Sequence, residues 1–355
     1  MIAPFPAFGG KSAIADLVWQ RFGRVDNLVE PFANSAAVAL GAPYIPTHET
    51  WNDLNGYVAN FWRAVAADPD AVADAADWPV SEVDQHARHA WLIRQQTDLT
   101  ARLMGDPDYY DAKVAGWWLW GICQYIGSGW CSGQGPWHSV DGRLVKGAAA
   151  GNGLWSQRPH LGNAGMGINR KLPHLGNAGR GQCAEWTAHL HEMIGALRDR
   201  MRRVRVCCGD WRRVCGPTPT VKLGTTAVFL DPPYQMDGRD DVYDQHDAHP
   251  DGANSEVFYD VVTWAIAQGD DPRMRIAVCG YAESGLFPAS WDAVPWKARG
   301  GYGNQADATG RGRANSHREV VWFSPQCLQP AATFAQPIVV GESDWTGTLF
   351  EPESV

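Results

Sequence analysis

Four consecutive residues have the composition of a binding site for a planar ring that carries an amino group. Asp231, Pro232, Pro233 and Tyr234 directly follow the apolar run 227–230, which is typical of a buried strand. The prolines stiffen the turn and lack a backbone donor, so carbonyl oxygens here can accept hydrogen bonds. A carboxylate and a carbonyl suit the two N–H groups of an exocyclic amine, while tyrosine can stack on the ring. A strand-end turn capped by Asp231 is the structural alternative.

The flanking sequence predicts a parallel α/β sheet that would place this turn at a ligand-binding edge. Apolar runs predict strands at residues 27–32, 44–48, 204–208, 226–231, 275–279 and 319–324. The spacing of apolar residues predicts helices that begin at Ser12 and Asp53 and that cover residues 81–104, 109–123, 185–203 and 255–267. In open α/β sheets, ligands bind outside the carboxyl ends of the strands, where Asp231 would lie.

The strand–helix pattern is interrupted in the first half of the chain. Residues 70–184 contain predicted helices without strands, and then a Gly-, Trp-, His- and Asn-rich stretch that repeats the sequence PHLGNAG. A long irregular segment of this kind is usually functional or disordered. We therefore predict a discontinuous α/β domain, residues 1–69 and 185–329, with an inserted helical, glycine-rich domain at 70–184. A weakly patterned tail follows at 330–355.

The chain carries a net charge of −9, yet its basic residues are clustered. A strongly acidic chain is a poor candidate for binding polyanions, because phosphate contacts need Lys and Arg. Residues 142–184 nevertheless contain no Asp or Glu, and further basic stretches lie at 198–213 and 297–318. A basic face on an acidic body is compatible with a polyanion partner, although solvated helix faces would explain much of 198–213.

No segment favours a membrane span or a disulfide scaffold. The longest apolar run, near residues 115–126, is too short to cross a bilayer, and no secretory signal is visible. Eight cysteines without a C-x-x-C pair indicate reduced thiols, so we expect a cytoplasmic protein. His246 and His249, with Asp244 and Asp247, have a spacing that permits a metal site, but an acidic loop beside the pocket is the favoured interpretation.

Several short motifs share one order along the chain. They are Phe8-Gly9-Gly10-Lys11, Val29-Glu30-Pro31-Phe32, Asn52-Asp53-Leu54-Asn55, Cys208-Gly209-Asp210-Trp211, Asp231-Pro232-Pro233-Tyr234 and the segment 315–322. In this order, with an insert before Asp-Pro-Pro-Tyr, they resemble the Dam-like (alpha-class amino) DNA adenine-N6 methyltransferase family. The resemblance covers about residues 5–325. It implies a Rossmann-like AdoMet-dependent methyltransferase sheet with an inserted target-recognition domain.

The resemblance implies S-adenosylmethionine (AdoMet) as the cofactor. The residues implied to bind it are Phe8, Gly10, Lys11, Glu30, Pro31, Phe32, Asn34, Ser35, Asp53 and Asp210. In the family, the acidic residue matching Asp53 binds the ribose hydroxyls, and the element at Asp210 faces the adenine of AdoMet. Asn34 and Ala36 stand where the family usually has glycines. Among other residues, asparagine tolerates a positive φ well, and alanine adds only a methyl group.

The resemblance also implies a mechanism and a partner. Asp231 and the Pro232 carbonyl would accept hydrogen bonds from adenine N6, next to Pro233, and Tyr234 would stack on a base flipped out of double-stranded DNA. No metal is required, no membrane is implied, and a monomer is compatible with the sequence. The residues expected to contact DNA are Arg158, Asn169, Arg170, Lys171 and Arg180, in the insert.

Two alternatives remain open at this point. An amino-methyltransferase could act instead on cytosine N4, on RNA or on protein, although the leading Asp231 favours adenine. A DNA-binding module with a degenerate AdoMet site is suggested by Asn34 and Ala36, whereas the intact Asp-Pro-Pro-Tyr sequence argues against it. Asp53 and Asp210 could also be simple helix caps.

Overall fold

The computed structural model describes residues 1, 3–6, 11–125, 130–131, 137–140, 143–146, 184–233, 254–282, 285–296 and 319–329. Its helices are α1 Ala15–Phe22, α2 Ala37–Leu40, α3 Gly56–Ala67, α4 Pro69–Ala76, α5 Glu82–Gly105, α6 Ala112–Ile122, α7 Ala184–Met201, α8 Arg212–Cys215 and α9 Asn254–Gln268. Its strands are β1 Asn27–Glu30, β2 His48–Asp53, β3 Trp137–Val140, β4 Arg143–Lys146, β5 Val204–Cys208, β6 Thr226–Leu230, β7 Met274–Tyr281, β8 Asp292–Pro295 and β9 Glu319–Phe323. Short 3-10 helices lie at Lys11–Ala13 and Val221–Leu223.

One mixed sheet of seven strands, in the order β5-β2-β1-β6-β7-β9-β8, organises the described residues. Neighbours from β5 to β7 are parallel, and β9 runs antiparallel to both β7 and β8. The chain proceeds outward from β1 to β5 on one side and from β6 on the other. The carboxyl ends of β1 and β6 therefore flank the point where the strand order reverses, which is where open α/β sheets bind ligands. The predicted mixed α/β fold is confirmed at this level, and it is consistent with a methyltransferase sheet.

The central strands are buried on both faces because they carry apolar side chains at successive positions. Leu28 and Val29 are adjacent in β1, and both are fully buried. They point to opposite faces, so Leu28 joins one hydrophobic cluster and Val29 the other. β6 divides in the same way, with Phe229 in the first cluster and Leu230 in the second. Near-continuous apolar runs are typical of parallel strands covered by helices on both sides.

The helices of the predicted insert share the first of these clusters with the sheet. α4 packs on α6 and α7, while α3 contacts α5, α6 and α7. Leu92 on α5 and Leu119 on α6 are fully buried in the same cluster as Leu28. α4 and α6 approach closely at Gly116, where an added Cβ would lie 2.5 Å from Ala75 Cβ. No helix within the described ranges is long and apolar enough to cross a membrane.

The predicted second strand at 44–48 is wrong. β2 instead covers His48–Asp53, and its polar Glu49 and Asn52 are nevertheless buried. Arg200 donates to Glu49 Oε2 at 2.8 Å, so this carboxylate is paired inside the protein. Pro46 also lies within the predicted run, and proline cannot donate to a strand ladder.

Helix starts and minor strands also differ from the prediction. The helix predicted from Asp53 begins at Gly56, since Asp53 ends β2 and Asn55 accepts the capping bond from Tyr57 N. Ser12 lies in the 3-10 helix rather than at the start of α1. The antiparallel pair β3–β4 lies within the stretch expected to be irregular, and β8 was not predicted. The remaining strands and the long helices α5, α7 and α9 agree with the prediction to within a few residues.

Candidate active site

The loop after β1, residues 31–35 and here named the β1 loop, is shaped by hydrogen bonds to its backbone groups. Ala33 N donates to Asn52 O at 2.8 Å, and Asn52 Nδ2 donates to Pro31 O at 2.9 Å. Asn34 has φ 44°, and Ala36, which starts α2, has φ 50°. Both non-glycine residues therefore adopt the left-handed conformation that glycine adopts without strain.

Asp53 joins the β1 loop to the end of β2. Its Oδ2 accepts a hydrogen bond from Asn34 N at 2.8 Å, and its Oδ1 accepts one from Asn55 N at 2.9 Å. Burial raises the pKa of Asp53, and these backbone donors oppose the rise. Asp53 is therefore not the cap of α3, and its carboxylate lies at the carboxyl edge of the sheet beside the β1 loop.

Glu30 ends β1 and supports the start of α2 from inside the protein. Its side chain is buried, and Oε1 accepts a hydrogen bond from Ala39 N at 2.6 Å. Burial raises the pKa of Glu30 from 4.5 to about 8, and the negative charges of Glu49 and Asp231 raise it further, while the Ala39 bond lowers it. Glu30 is thus mainly neutral at pH 7, and its observed contact is structural.

Asp231 lies at the end of β6 and is held by a buried lysine. Lys11 Nζ is 3.0 Å from Asp231 Oδ1 and 3.9 Å from Glu319 Oε2. The Lys11 side chain is only 7% exposed, whereas Asp231 is 20% exposed. The ammonium also lies 5.5 Å from the centre of the Trp296 ring. These four residues are here named the lysine cluster. Among its three charged side chains, that of Asp231 is the most exposed and therefore the most accessible to a ligand.

The element after β5 lies next to Asp53. Gly209, with φ 138°, donates its N–H to Asp53 O at 3.0 Å and accepts from Asn52 Nδ2 at 2.9 Å. Asp210 Oδ1 accepts a hydrogen bond from Arg212 N at 2.8 Å, at the start of α8. This contact is the one expected if Asp210 caps the helix. Trp211 is buried.

The remaining residues predicted to bind the cofactor, Pro31, Phe32 and Ser35, lie in the β1 loop. Pro31 and Ser35 are buried, and Phe32 is half-buried with its ring centre 6.2 Å from that of Trp211. The donor set fits the ribose part of AdoMet, because carboxylate oxygens are the acceptors that vicinal hydroxyl donors require. The structure thus brings Asp53, Asp210, the β1 loop and the end of β6 to one edge of the sheet.

Several predicted site residues lie outside the described residues. These are Phe8, Gly10, Tyr234, Arg158, Asn169, Arg170, Lys171 and Arg180, together with the pair His246 and His249. Within the described ranges, no group of three or more His, Cys, Asp or Glu side chains could hold a metal ion.

Sequence reasoning missed the partners of Asp231. Lys11 was predicted to contact the cofactor, and the structure places its ammonium beside Asp231. Glu319 and Trp296 were not proposed as site residues. Glu319 is the first residue of β9, within the motif at 315–322. The motif indicated where Glu319 lies along the chain, but it gave no indication of the contact with Lys11, which comes from the opposite end of the chain.

Comparison with known families bears on the amino-terminal part of this site. Residues 8–89 match the family model described as D12 class N6 adenine-specific DNA methyltransferase. The matched segment contains Lys11, the β1 loop and Asp53, and it ends within α5. The resemblance predicted from the sequence is therefore confirmed over this segment, which is less than a quarter of the chain. A comparison with curated proteins returned no match.

Proposed function

We propose that the protein is an AdoMet-dependent DNA methyltransferase that modifies the exocyclic N6 of an adenine flipped out of duplex DNA. One observation carries the proposal. The segment that matches the adenine-N6 methyltransferase family stands at the same sheet edge as Asp231, and its Lys11 contacts the Asp231 carboxylate at 3.0 Å. The left-handed backbone at Asn34 and Ala36 preserves the shape that glycines would give, which favours a cofactor site over a degenerate one.

The cofactor side would be formed by the β1 loop, Asp53 and Asp210. Asp53 would accept hydrogen bonds from the ribose hydroxyls, since its carboxylate is already fixed by two backbone donors. Phe32 and Trp211 would line the adenine end. When bound, AdoMet supplies a methyl group on a positively charged sulfonium. The sulfur departs from the methyl group as a neutral thioether, which is a good leaving group.

The base side would be formed by the turn after β6. Adenine N6 is a poor nucleophile because its lone pair is delocalised into the ring. Hydrogen bonds from N6 to Asp231 and to the Pro232 carbonyl would favour a pyramidal nitrogen and orient its lone pair toward the methyl group. The Lys11 ammonium lies 3.0 Å from Asp231 Oδ1, and a carboxylate group in this position offers oxygen acceptors to the N6 hydrogens. The N6 proton would leave along the bond to Asp231, and Tyr234 would stack on the base.

DNA recognition is proposed for the insert at 70–184. Arg158, Asn169, Arg170, Lys171 and Arg180 would contact phosphates and base edges there, and the cost of unstacking the target base would be offset by these contacts. A DNA substrate would place the protein in the cytoplasm, associated with the nucleoid of a bacterium or, if phage-encoded, in the host cytoplasm. Replacing both Arg170 and Lys171 with alanine should reduce the slope of log K against log salt by roughly two. An unchanged slope would move the DNA face elsewhere.

The decisive test is the identity of the modified base. The purified full chain would be incubated with duplex DNA and AdoMet carrying a labelled methyl group, and the DNA would be digested to nucleosides. Labelled N6-methyl-2′-deoxyadenosine that disappears in an Asp231→Ala variant is the expected result. Label in N4-methylcytosine, in RNA or in protein would support the alternative amino-methyltransferases, and absence of labelled product on varied DNA would contradict the proposal.

A further inference from the structure

Asn34 is an exposed residue with a left-handed backbone in the β1 loop. Its φ is 44°, and its neighbours Ser35 and Ala36 are buried. Left-handed conformations are uncommon for residues other than glycine, and such strained residues are concentrated at functional sites. Glycine would satisfy the backbone here without strain, so the side chain of Asn34 needs an explanation of its own.

The backbone contacts of Asn34 fix its position next to Asp53. Its N–H donates to Asp53 Oδ2 at 2.8 Å, and its carbonyl accepts from Trp62 Nε1 at 3.0 Å. Within the described part of the chain, its side-chain amide makes no hydrogen bond. The carboxamide therefore belongs to a residue that is held firmly through its backbone, while its own donor and acceptor are available to a ligand.

We propose that the Asn34 carboxamide hydrogen-bonds the ribose part of bound AdoMet, beside the Asp53 carboxylate, and thereby sets cofactor affinity. A carboxamide offers both a donor and an acceptor, and each ribose hydroxyl can serve as either. The inference rests on the proposed function, because it takes AdoMet as the ligand of the β1 loop. It assigns a binding role to the side chain that distinguishes Asn34 from the glycine usual at this position.

The chain offers a matched control for the backbone effect. Asn34→Gly and Ala36→Gly both relieve a left-handed conformation, but only the first removes an exposed polar group, since Ala36 is fully buried. Asn34→Ala removes the same carboxamide and retains the strain. Because Asp53 is held by the backbone N–H of residue 34, all three variants keep that hydrogen bond.

Isothermal titration of the full chain with S-adenosylhomocysteine, which has the same ribose and no transferable methyl group, tests the proposal. Loss of one uncharged hydrogen bond should weaken binding about three- to tenfold in both Asn34→Gly and Asn34→Ala. Ala36→Gly should bind as the unchanged protein does. The midpoint of thermal unfolding should be lower for the Asn34→Ala variant than for the Asn34→Gly variant, because alanine is strained at a positive φ and glycine is not. Stability should therefore depend on the backbone conformation, whereas affinity should depend on the carboxamide.

Two results would overturn the inference while leaving the cofactor assignment intact. One is equal affinity in Asn34→Gly and the unchanged protein. The other is weakening by Ala36→Gly as large as that by Asn34→Gly, which would indicate a general change of the loop. Absence of S-adenosylhomocysteine binding by the unchanged, folded protein would instead contradict the cofactor part of the proposed function, and the inference would fail with it.

Discussion

The two sides of the candidate site are held by different forces. On the cofactor side, backbone groups of the β1 loop pair with the side chains of Asn52 and Asp53, and the backbone conformation at Asn34 gives the loop its shape. On the base side, the lysine cluster fixes Asp231 through charges that have little contact with water. Loss of one partner from a buried charge cluster costs more than loss of one hydrogen bond to a backbone group. Substitutions at the two sides should therefore differ in size and in the property affected.

The largest effect is expected at Asp231. Asp231→Ala should lower the rate of methyl transfer by about 10³-fold or more, because the N6 group would lose the acceptor proposed to orient it. Affinity for S-adenosylhomocysteine should stay within about twofold, since the cofactor side is built from other residues. Single-turnover kinetics and titration calorimetry would measure the two quantities. Asp16→Ala, an exposed carboxylate on α1, is the control, and retained turnover in Asp231→Ala would remove Asp231 from the mechanism.

A smaller loss is expected at Lys11. Lys11→Met keeps the apolar stem but removes the ammonium, so Asp231 and Glu319 lose their buried counter-ion. Turnover should fall by roughly 10- to 100-fold, and Lys11→Arg should recover part of it. A cycle with Glu319→Gln should show coupling, because the double variant also removes one of the two carboxylate charges that lie near Lys11. Additive effects of the two changes would show that the lysine cluster does not act as a unit.

Substitution of Asp53 should weaken cofactor binding much more than it lowers the rate of methyl transfer at saturating AdoMet. Asp53→Asn removes the negative charge from the residue proposed to bind the ribose, which should weaken S-adenosylhomocysteine binding roughly 10- to 100-fold. The rate of methyl transfer at saturating AdoMet should change much less. A large fall in the saturated rate with unchanged affinity would contradict the division between a binding side and a reacting side.

Glu30 is expected to affect stability and not activity, and its effect should appear as a pH dependence of stability. Because the folded-state pKa of Glu30 is raised to about 8 from 4.5, the folded protein binds more protons than the unfolded chain between these values. The contribution of Glu30 to stability should therefore be complete below about pH 4.5 and should decline as the pH rises to about 8. Glu30→Gln keeps an acceptor for Ala39 N and should remove this decline, by at most about 1.4 kcal/mol per pH unit.

Urea unfolding of both proteins at several pH values would measure the slopes. The variant should gain stability relative to the unchanged protein as the pH rises toward 8. Parallel pH profiles would show that Glu30 is charged in the folded protein.

Much of the sheet could be predicted from the sequence because β1, β6, β7 and β9 are apolar runs, and such runs are typical of buried strands. β2 could not, since Glu49 and Asn52 are polar residues whose buried partners, Arg200 and Pro31, come from distant parts of the chain. The position of Asp231 at a strand end followed from local pattern, but its contact with Lys11 depends on the closure of the whole sheet. Local spacing carries no information on such pairs.

The packing of α5 and α6 in the same hydrophobic cluster as the sheet has a consequence for experiments that exchange the region 70–184. Because Leu92 and Leu119 lie in the same cluster as the strand residue Leu28, a chimera that exchanged all of 70–184 would have to rebuild the core of the seven-stranded sheet. Retaining the native chain through Cys131 and from α7 onward would keep these contacts, so the junctions for a grafted segment that tests the proposed recognition role belong there.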